Sequence, residues 1–286
     1  MLQTHIEQTW LEVDGLRIHC FVAGQSGSPV ILLHGGGLDS ASISWGAEIG
    51  PLSARYRVFA PDLPGYGESD KPAVEYTLDY YARFLDHLLD VLHLDKASLV
   101  GLSLGGGIAL SFTLNYPARV DRLVLVDTYG IQDKVAWHRS SYLFIHIPYL
   151  QELSYQLLGS SRGMLRWGLL AGGTVHNAQH LSRELIDEVY RQAHTPSRGK
   201  AFTSTQKNDM TWHGLRSDMT GRLREITVPT LLVHGAQDRA VPLSYAQKAH
   251  ALIKNSELVI LQDCGHWAQR EKPEEFHQVV STFLDK

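Results

Sequence analysis

The chain reads as an α/β fold built on a mostly parallel, doubly wound sheet, and three features predict it. Short apolar runs of strand length recur along it: Val30–Leu33, Tyr56–Ala60, Ala97–Val100, Arg122–Asp127, Thr230–His234 and Glu257–Leu261. Segments of helical periodicity separate several of these runs. One strand also turns directly into a helix through Val100-Gly101-Leu102-Ser103-Leu104-Gly105-Gly106-Gly107. Continuous apolar strands suit a sheet covered by helices on both faces, because both sides of every strand are then dry.

In chain order, Thr9–Val13 and Arg17–Val22 flank Asp14-Gly15, a strong signal for a hairpin with a tight turn. Val30–Leu33 then ends in His34-Gly35-Gly36-Gly37. A helix is expected over Trp45–Leu52, and Tyr56–Ala60 precedes the turn-rich loop Pro61–Asp70. Thr77–Leu94 carries Leu78, Tyr81, Leu85, Leu88, Leu89 and Leu92 at helical spacing. After Ala97–Val100, the stretch Leu104–Tyr116 is helical, apolar on most faces and stopped by Pro117. Glu274–Leu284 closes the chain as an amphipathic helix. Between about Gly130 and Thr220 the strand–helix rhythm stops. That section is helical in pattern and rich in large aromatics: Trp137, Tyr142, Phe144, Tyr149, Tyr155, Trp167 and Trp212. The expectation is a core formed by residues 1–129 and 221–286, with a helical lid at 130–220 inserted after the sixth strand.

Composition narrows the function classes. The 286 residues, 44% hydrophobic and 20% charged, suffice for one large core with a subdomain. A net charge of -4 gives no electrostatic case for nucleic acid or an anionic membrane. The 15 histidines show no HExxH-type spacing, so no metal is expected. The two cysteines, Cys20 and Cys264, read as free thiols in a reducing cytoplasm. The N-terminus shows no secretory pattern, and no apolar run approaches membrane-spanning length. Nothing here sets an oligomeric state.

The chemistry centres on Ser103, in the pentapeptide Gly101-Leu102-Ser103-Leu104-Gly105. A strand that becomes a helix through one residue strains that residue, and flanking glycines remove the Cβ atoms that would collide. The serine oxygen is then presented at a sheet edge beside a helix N-terminus with free N–H groups. An unactivated hydroxyl is a poor nucleophile, so Ser103 needs a base. His266 follows Glu257–Leu261 through the short loop Gln262–Gly265. The base in turn needs an orienting carboxylate. Asp238, just past Thr230–His234, is the first candidate, and Asp127, at the end of Arg122–Asp127, competes with it. Cys264 lacks an elbow of its own, and His34 suits structural hydrogen bonding.

Five pieces together resemble the α/β-hydrolase fold family across nearly the whole chain and in the family's order. They are His34-Gly35-Gly36-Gly37, Asp62-Leu63-Pro64-Gly65-Tyr66-Gly67-Glu68-Ser69, Gly101-Leu102-Ser103-Leu104-Gly105-Gly106, Gly235-Ala236-Gln237-Asp238 and Gly265-His266-Trp267. The resemblance implies a serine hydrolase with the order Ser103, Asp238, His266. It implies an oxyanion hole from the amides of Leu104 and Gly36, with Gly37 as the neighbour to watch, and it sets Trp267 and Gly37 beside the substrate. No metal or organic cofactor is implied. A small-molecule carboxylic ester, or a related acyl compound, is the first substrate class. The tail from Cys264 to Phe276 also resembles that of meta-cleavage product hydrolases, which cleave a carbon–carbon bond. Those enzymes carry an Asn before the nucleophile and an Arg-Trp pair in a lid helix. Here Leu102 precedes Ser103, and Val189 and Tyr190 stand where the pair is expected, with Arg183 or Arg191 able to reach inward instead. A non-catalytic receptor on the same fold is the reading of another class, and the apparent triad argues against it.

Overall fold

The computed structural model describes residues 5–286, and eight strands form one sheet in it. The hairpin is β1 (Ile6–Val13) and β2 (Leu16–Ala23). Asp14 and Gly15 at its turn have φ of 53° and 76°, the left-handed pair whose twist matches that of the flanking strands. The others are β3 (Pro29–Leu33), β4 (Arg57–Pro61), β5 (Ala97–Leu102), β6 (Val120–Val126), β7 (Thr230–Gly235) and β8 (Ser256–Leu261). Their spatial order is β1-β2-β4-β3-β5-β6-β7-β8. β2 pairs antiparallel with β1 and β4, and every other pair is parallel.

Three helices alternate with the first six strands: α1 (Ala41–Ser53), α2 (Leu78–Val91) and α3 (Leu104–Asn115). α1 starts before the expected Trp45 because Ser40 caps it, its hydroxyl accepting from the Ile43 N–H at 3.3 Å. Between β6 and β7 the chain forms α4 (His138–His146), α5 (Leu150–Leu158), α6 (Arg162–Ala171), α7 (Arg183–Ala193) and α8 (Lys200–Asp209). α9 (Leu243–Leu252), the short α10 (Ala268–Glu271) and α11 (Pro273–Leu284) complete the fold. α9 has no clear sequence signal. Pro242 stands at its N-cap where a capping side chain would announce a helix, and it buries only Ala246 and Ala249, too little for an apolar stripe.

The strand period of two divides the core cleanly. Val30, Leu32, Val100, Leu102, Val124 and Val126 face one side and pack with Trp45 of α1 and Phe276 and Val280 of α11. Ile31, Leu33, Leu99, Leu123 and Leu125 face the other and meet Leu85 and Leu88 of α2 and Ile108 and Phe112 of α3. Both faces of β3, β5 and β6 are therefore dry, which is why these strands read as nearly unbroken apolar runs. Cys20 and Cys264 are buried and unpaired, and burial raises both thiols from their ordinary value. No helix among the described residues is long and apolar enough to cross a membrane.

Candidate active site

The turn between β5 and α3 has the geometry its sequence demands. Ser103 sits at φ 49° and ψ -113°, a strained conformation costing about 1–3 kcal/mol. It is held by its N–H donating to Val126 O at 2.9 Å, while its carbonyl accepts from Gly107 and Tyr129, each at 3.0 Å. The two flanking glycines are sterically obligatory. A Cβ at Gly101 would lie 2.4 Å from Gly105 O, and one at Gly105 would lie 2.2 Å from Leu33 O.

The loops after β7 and β8 are laced together. The Gln237 N–H donates to Cys264 O, and Gln237 Oε1 accepts from the Cys264 N–H, both at 2.9 Å. Across this brace the His266 Nδ1–H donates to Asp238 Oδ2 at 2.8 Å. Asp238 Oδ1 accepts from the Ala240 and Val241 amides at 2.7 and 3.0 Å. Burial alone would raise Asp238, but the His266 charge and hydrogen bond, with His234 and the Val241 amide, outweigh it and lower its pKa. Burial conversely pulls His266 down, and the Asp238 charge and hydrogen bond overcome this to lift it to about 9. No hydrogen bond joins Ser103 Oγ to His266 among the described residues, although both line the same cavity.

The lifted imidazole carries a pH signature. A protonated His266 has no lone pair with which to accept a proton, so activity that depends on it rises with pH as the ring deprotonates. The rising limb of kcat/KM should lie above the ordinary imidazole value of about 6.5 and towards about 9. The same shift links to stability. The folded state holds this proton more tightly than the unfolded chain, so the stabilisation is complete below about pH 6.5 and is lost as pH rises through about 9. A pH–rate profile tests it, and a midpoint at or below 6.5 would contradict it.

Asp127 occupies a different role. Both its oxygens accept backbone N–H groups, from Gly235 at 2.8 Å and Ala268 at 3.2 Å, and it makes no hydrogen bond to His266. Burial raises its pKa well above the carboxylate range, and the Asp238 charge adds to the rise. His234 supports a neutral Asp127. Its Nε2–H donates to Val241 O at 2.8 Å, so the Nδ1 lone pair faces Asp127 Oδ1 at 3.6 Å. Burial keeps that ring neutral.

The loop after β3 forms the opposite wall. His34 is structural: Nδ1–H donates to Gly35 O at 2.8 Å and Nε2 accepts from the Leu63 N–H at 3.0 Å. Gly36 lies against α8, where a Cβ would sit 2.3 Å from the Phe202 ring. Gly37 has φ +81° and faces the cavity. The amides of Gly36 and Leu104 have no acceptor among the described residues. Asp39 escapes sequence reasoning. It is buried, and its carboxylate accepts from Gly35 N–H at 2.9 Å, Ser40 N–H at 2.8 Å and Ser44 Oγ–H at 2.7 Å, which fixes the loop. Glu271 likewise carries no sequence signal of its role. Its oxygens take the amides of Gly265, His176 and Asn177 at 2.7 to 3.0 Å, tying the His266 loop to the inserted segment.

These walls enclose a cavity of about 540 Å³ that holds Ser103, His266, Gly36, Gly37 and Trp267 at its floor. Residues of α4 to α8, among them Leu158, Leu165, Val189 and Phe202, form the roof, with Gln132, Gln151 and Gln206 as polar groups. Of the seven aromatics expected there, only Phe144 and Tyr155 line it. Trp137, Tyr149 and Trp167 are 86, 82 and 63% exposed, and Tyr142 packs on Trp212. Neither Arg183 nor Arg191 reaches inward: Arg183 lies in solvent beside Asp187, and neither belongs to the wall. Val189 does face the cavity, Tyr190 does not, and Arg239 is the arginine in the wall.

The comparisons agree with this architecture. The sequence model of the alpha/beta hydrolase fold matches residues 28–273. The 2-hydroxy-6-oxo-6-(2'-aminophenyl)hexa-2,4-dienoic acid hydrolase of Metapseudomonas resinovorans is 31% identical, over 98% of this chain and 91% of its own. The 2-hydroxy-6-oxo-6-phenylhexa-2,4-dienoate hydrolase of Burkholderia cepacia is 32% identical, over 95% and 92%. The solved meta-cleavage product hydrolase of Pseudomonas fluorescens IP01 superposes with a TM-score of 0.80 at 27% identity, covering 100% of this chain and 99% of that one. These proteins match this chain nearly end to end, and the chain belongs to the alpha/beta hydrolase fold family as a hydrolase.

Proposed function

We propose that the protein cleaves carboxylic esters through an acyl-enzyme on Ser103. The observation that carries this reading is the His266–Asp238 pair at 2.8 Å, whose imidazole lines the same cavity as Ser103 and Gly36, together with the Gly36 and Leu104 amides, which have no acceptor among the described residues. Ser103 Oγ attacks the carbonyl carbon as His266 Nε2 takes its proton. Asp238 holds the imidazole and stabilises its positive form. The Gly36 and Leu104 N–H groups stabilise the oxyanion. His266 returns the proton to the leaving alkoxide, then draws one from water, which attacks the acyl carbon and frees Ser103 and the acid. Hydrogen bonds between nucleophile and base are often long before substrate arrives and tighten in the complex. The helices of residues 138–209 act as the cap, which excludes water and selects the acyl group.

Esters come first because α7 offers the cavity Val189 and no arginine, so a substrate carboxylate beside the reacting carbon lacks a bidentate partner from that helix. Carbon–carbon cleavage of a 2-hydroxy-6-oxo-dienoate is the second reading. It is favoured by the activities named for the relatives and by Arg239 in the wall. Assaying p-nitrophenyl esters of graded acyl length beside such a dienoate separates them. The best ester should show the higher kcat/KM, and a dienoate value well above it would reverse the order and make Arg239 the next residue to replace.

A further inference from the structure

A second cavity, of about 390 Å³, adjoins the first and shares Ile145, Gln151 and Tyr155 with it. Its wall contains three cations, Arg198, Lys200 and Lys207, against one carboxylate, Glu152. Among the described residues, no carboxylate lies within 4.0 Å of any of the three. Arg198 Nε is buried and has no hydrogen-bond partner. Clustered like charges repel, and a buried N–H left unpaired costs about 1–3 kcal/mol. An anion in the cavity relieves the repulsion among the three cations. In a chain of net charge -4, such a cluster is a local reversal of sign.

The two cavities share Ile145, Gln151 and Tyr155 as a common wall. The Tyr155 ring packs on Gly199, where a Cβ would lie 2.1 Å from Cε2, and its hydroxyl points at the oxyanion loop, 3.9 Å from a Cβ position on Gly37. Beside it, the buried Gln151 donates through Nε2 to Gln206 Oε1 at 2.6 Å, while its own Oε1 has no partner. A ligand lying on Ser103 that extends past Tyr155 and Gln151 therefore ends among Arg198, Lys200 and Lys207.

We propose that this second cavity is a subsite for a carboxylate at the far end of the acyl chain, so that the substrates are half-esters of dicarboxylic acids. The proposal rests on the ester-hydrolase reading of Ser103 and names its substrate class. The reacting ester sits in the first cavity, the methylene chain crosses at Tyr155, and the remote carboxylate takes charge-assisted hydrogen bonds from the three cations.

The test compares mono-p-nitrophenyl esters of dicarboxylic acids, from glutarate to sebacate, with neutral acyl esters of matched length. At one chain length the kcat/KM ratio of the carboxylate to the neutral ester should exceed about tenfold, the value of one charge-assisted hydrogen bond. That ratio should fall towards one in Arg198→Gln, Lys200→Gln and Lys207→Gln, and fall as salt is added. Because a ratio is read, general damage from a substitution cancels. A ratio near one at every length overturns the proposal, as does a high ratio that all three variants keep. Stimulation of neutral-ester turnover by free acetate, without preference for any half-ester, would make the cavity an effector site and overturn it too. If no ester is hydrolysed at all, the ester reading fails by itself. The subsite is then judged by calorimetry with the free dicarboxylates and Ser103→Ala: binding weakened about tenfold by Arg198→Gln supports it, and no binding overturns it.

Discussion

Ser103→Ala should lower kcat by about 10⁶-fold, the scale on which removing a serine nucleophile removes its catalysis. The fold should survive the change. The side chain makes no hydrogen bond among the described residues, while the strained φ of 49° is held by the backbone bonds of Ser103 to Val126, Gly107 and Tyr129. The loss would therefore be a loss of chemistry. Unchanged urea and thermal transitions beside abolished turnover are the expected pair of results. Turnover kept within tenfold of the parent would move the nucleophile elsewhere.

Asp238→Asn should cost up to about 10⁴ in kcat. An asparagine keeps the shape of the carboxylate but can offer Nδ2–H to His266. That favours the tautomer with its proton on Nε2, which cannot accept the Ser103 proton. The substitution also removes the charge that lifts His266 to about 9, so the residual rate limb should shift to lower pH. Asp127→Asn should have a far smaller effect on kcat. That carboxyl is already held neutral, and its bonds go to the Gly235 and Ala268 amides, so its loss falls on stability. Comparing the two variants by kcat and by denaturation midpoint separates the roles. The reverse ranking in kcat would make Asp127 the acid.

The two acids show where sequence reasoning runs out. Each follows a core strand, and nothing local says which one faces His266. The choice depends on the brace between Gln237 and Cys264, a contact across 27 residues, and on amides that capture Asp127 from 108 and 141 residues away. The elbow was legible because its constraint is local: Gly101 and Gly105 are required by atoms within a few residues or on the adjacent strand. The strands were legible because both faces of the sheet are covered. The upper cavity wall was not. Phe202 meets Gly36 and Tyr155 meets Gly37 only when α8 and α5 pack over the sheet edge, and amphipathic helices do not announce their partners. Trp167 lies in α6, where an aromatic can face either way, and Trp137 and Tyr149 stand just before α4 and α5 with left-handed φ of 53° and 64°, which sequence periodicity does not announce. Asp39 and Glu271 act on backbone amides, which leave no trace in residue type.

The most direct measurement is the mass of the intact protein after reaction with a small organophosphate, followed by peptide mapping. One adduct per chain, on Ser103, is the predicted result, with none on Ser103→Ala and strongly slowed labelling of His266→Ala. An adduct on any other residue, or one that persists in Ser103→Ala, would contradict the assignment of Ser103 as the nucleophile activated by His266 and Asp238.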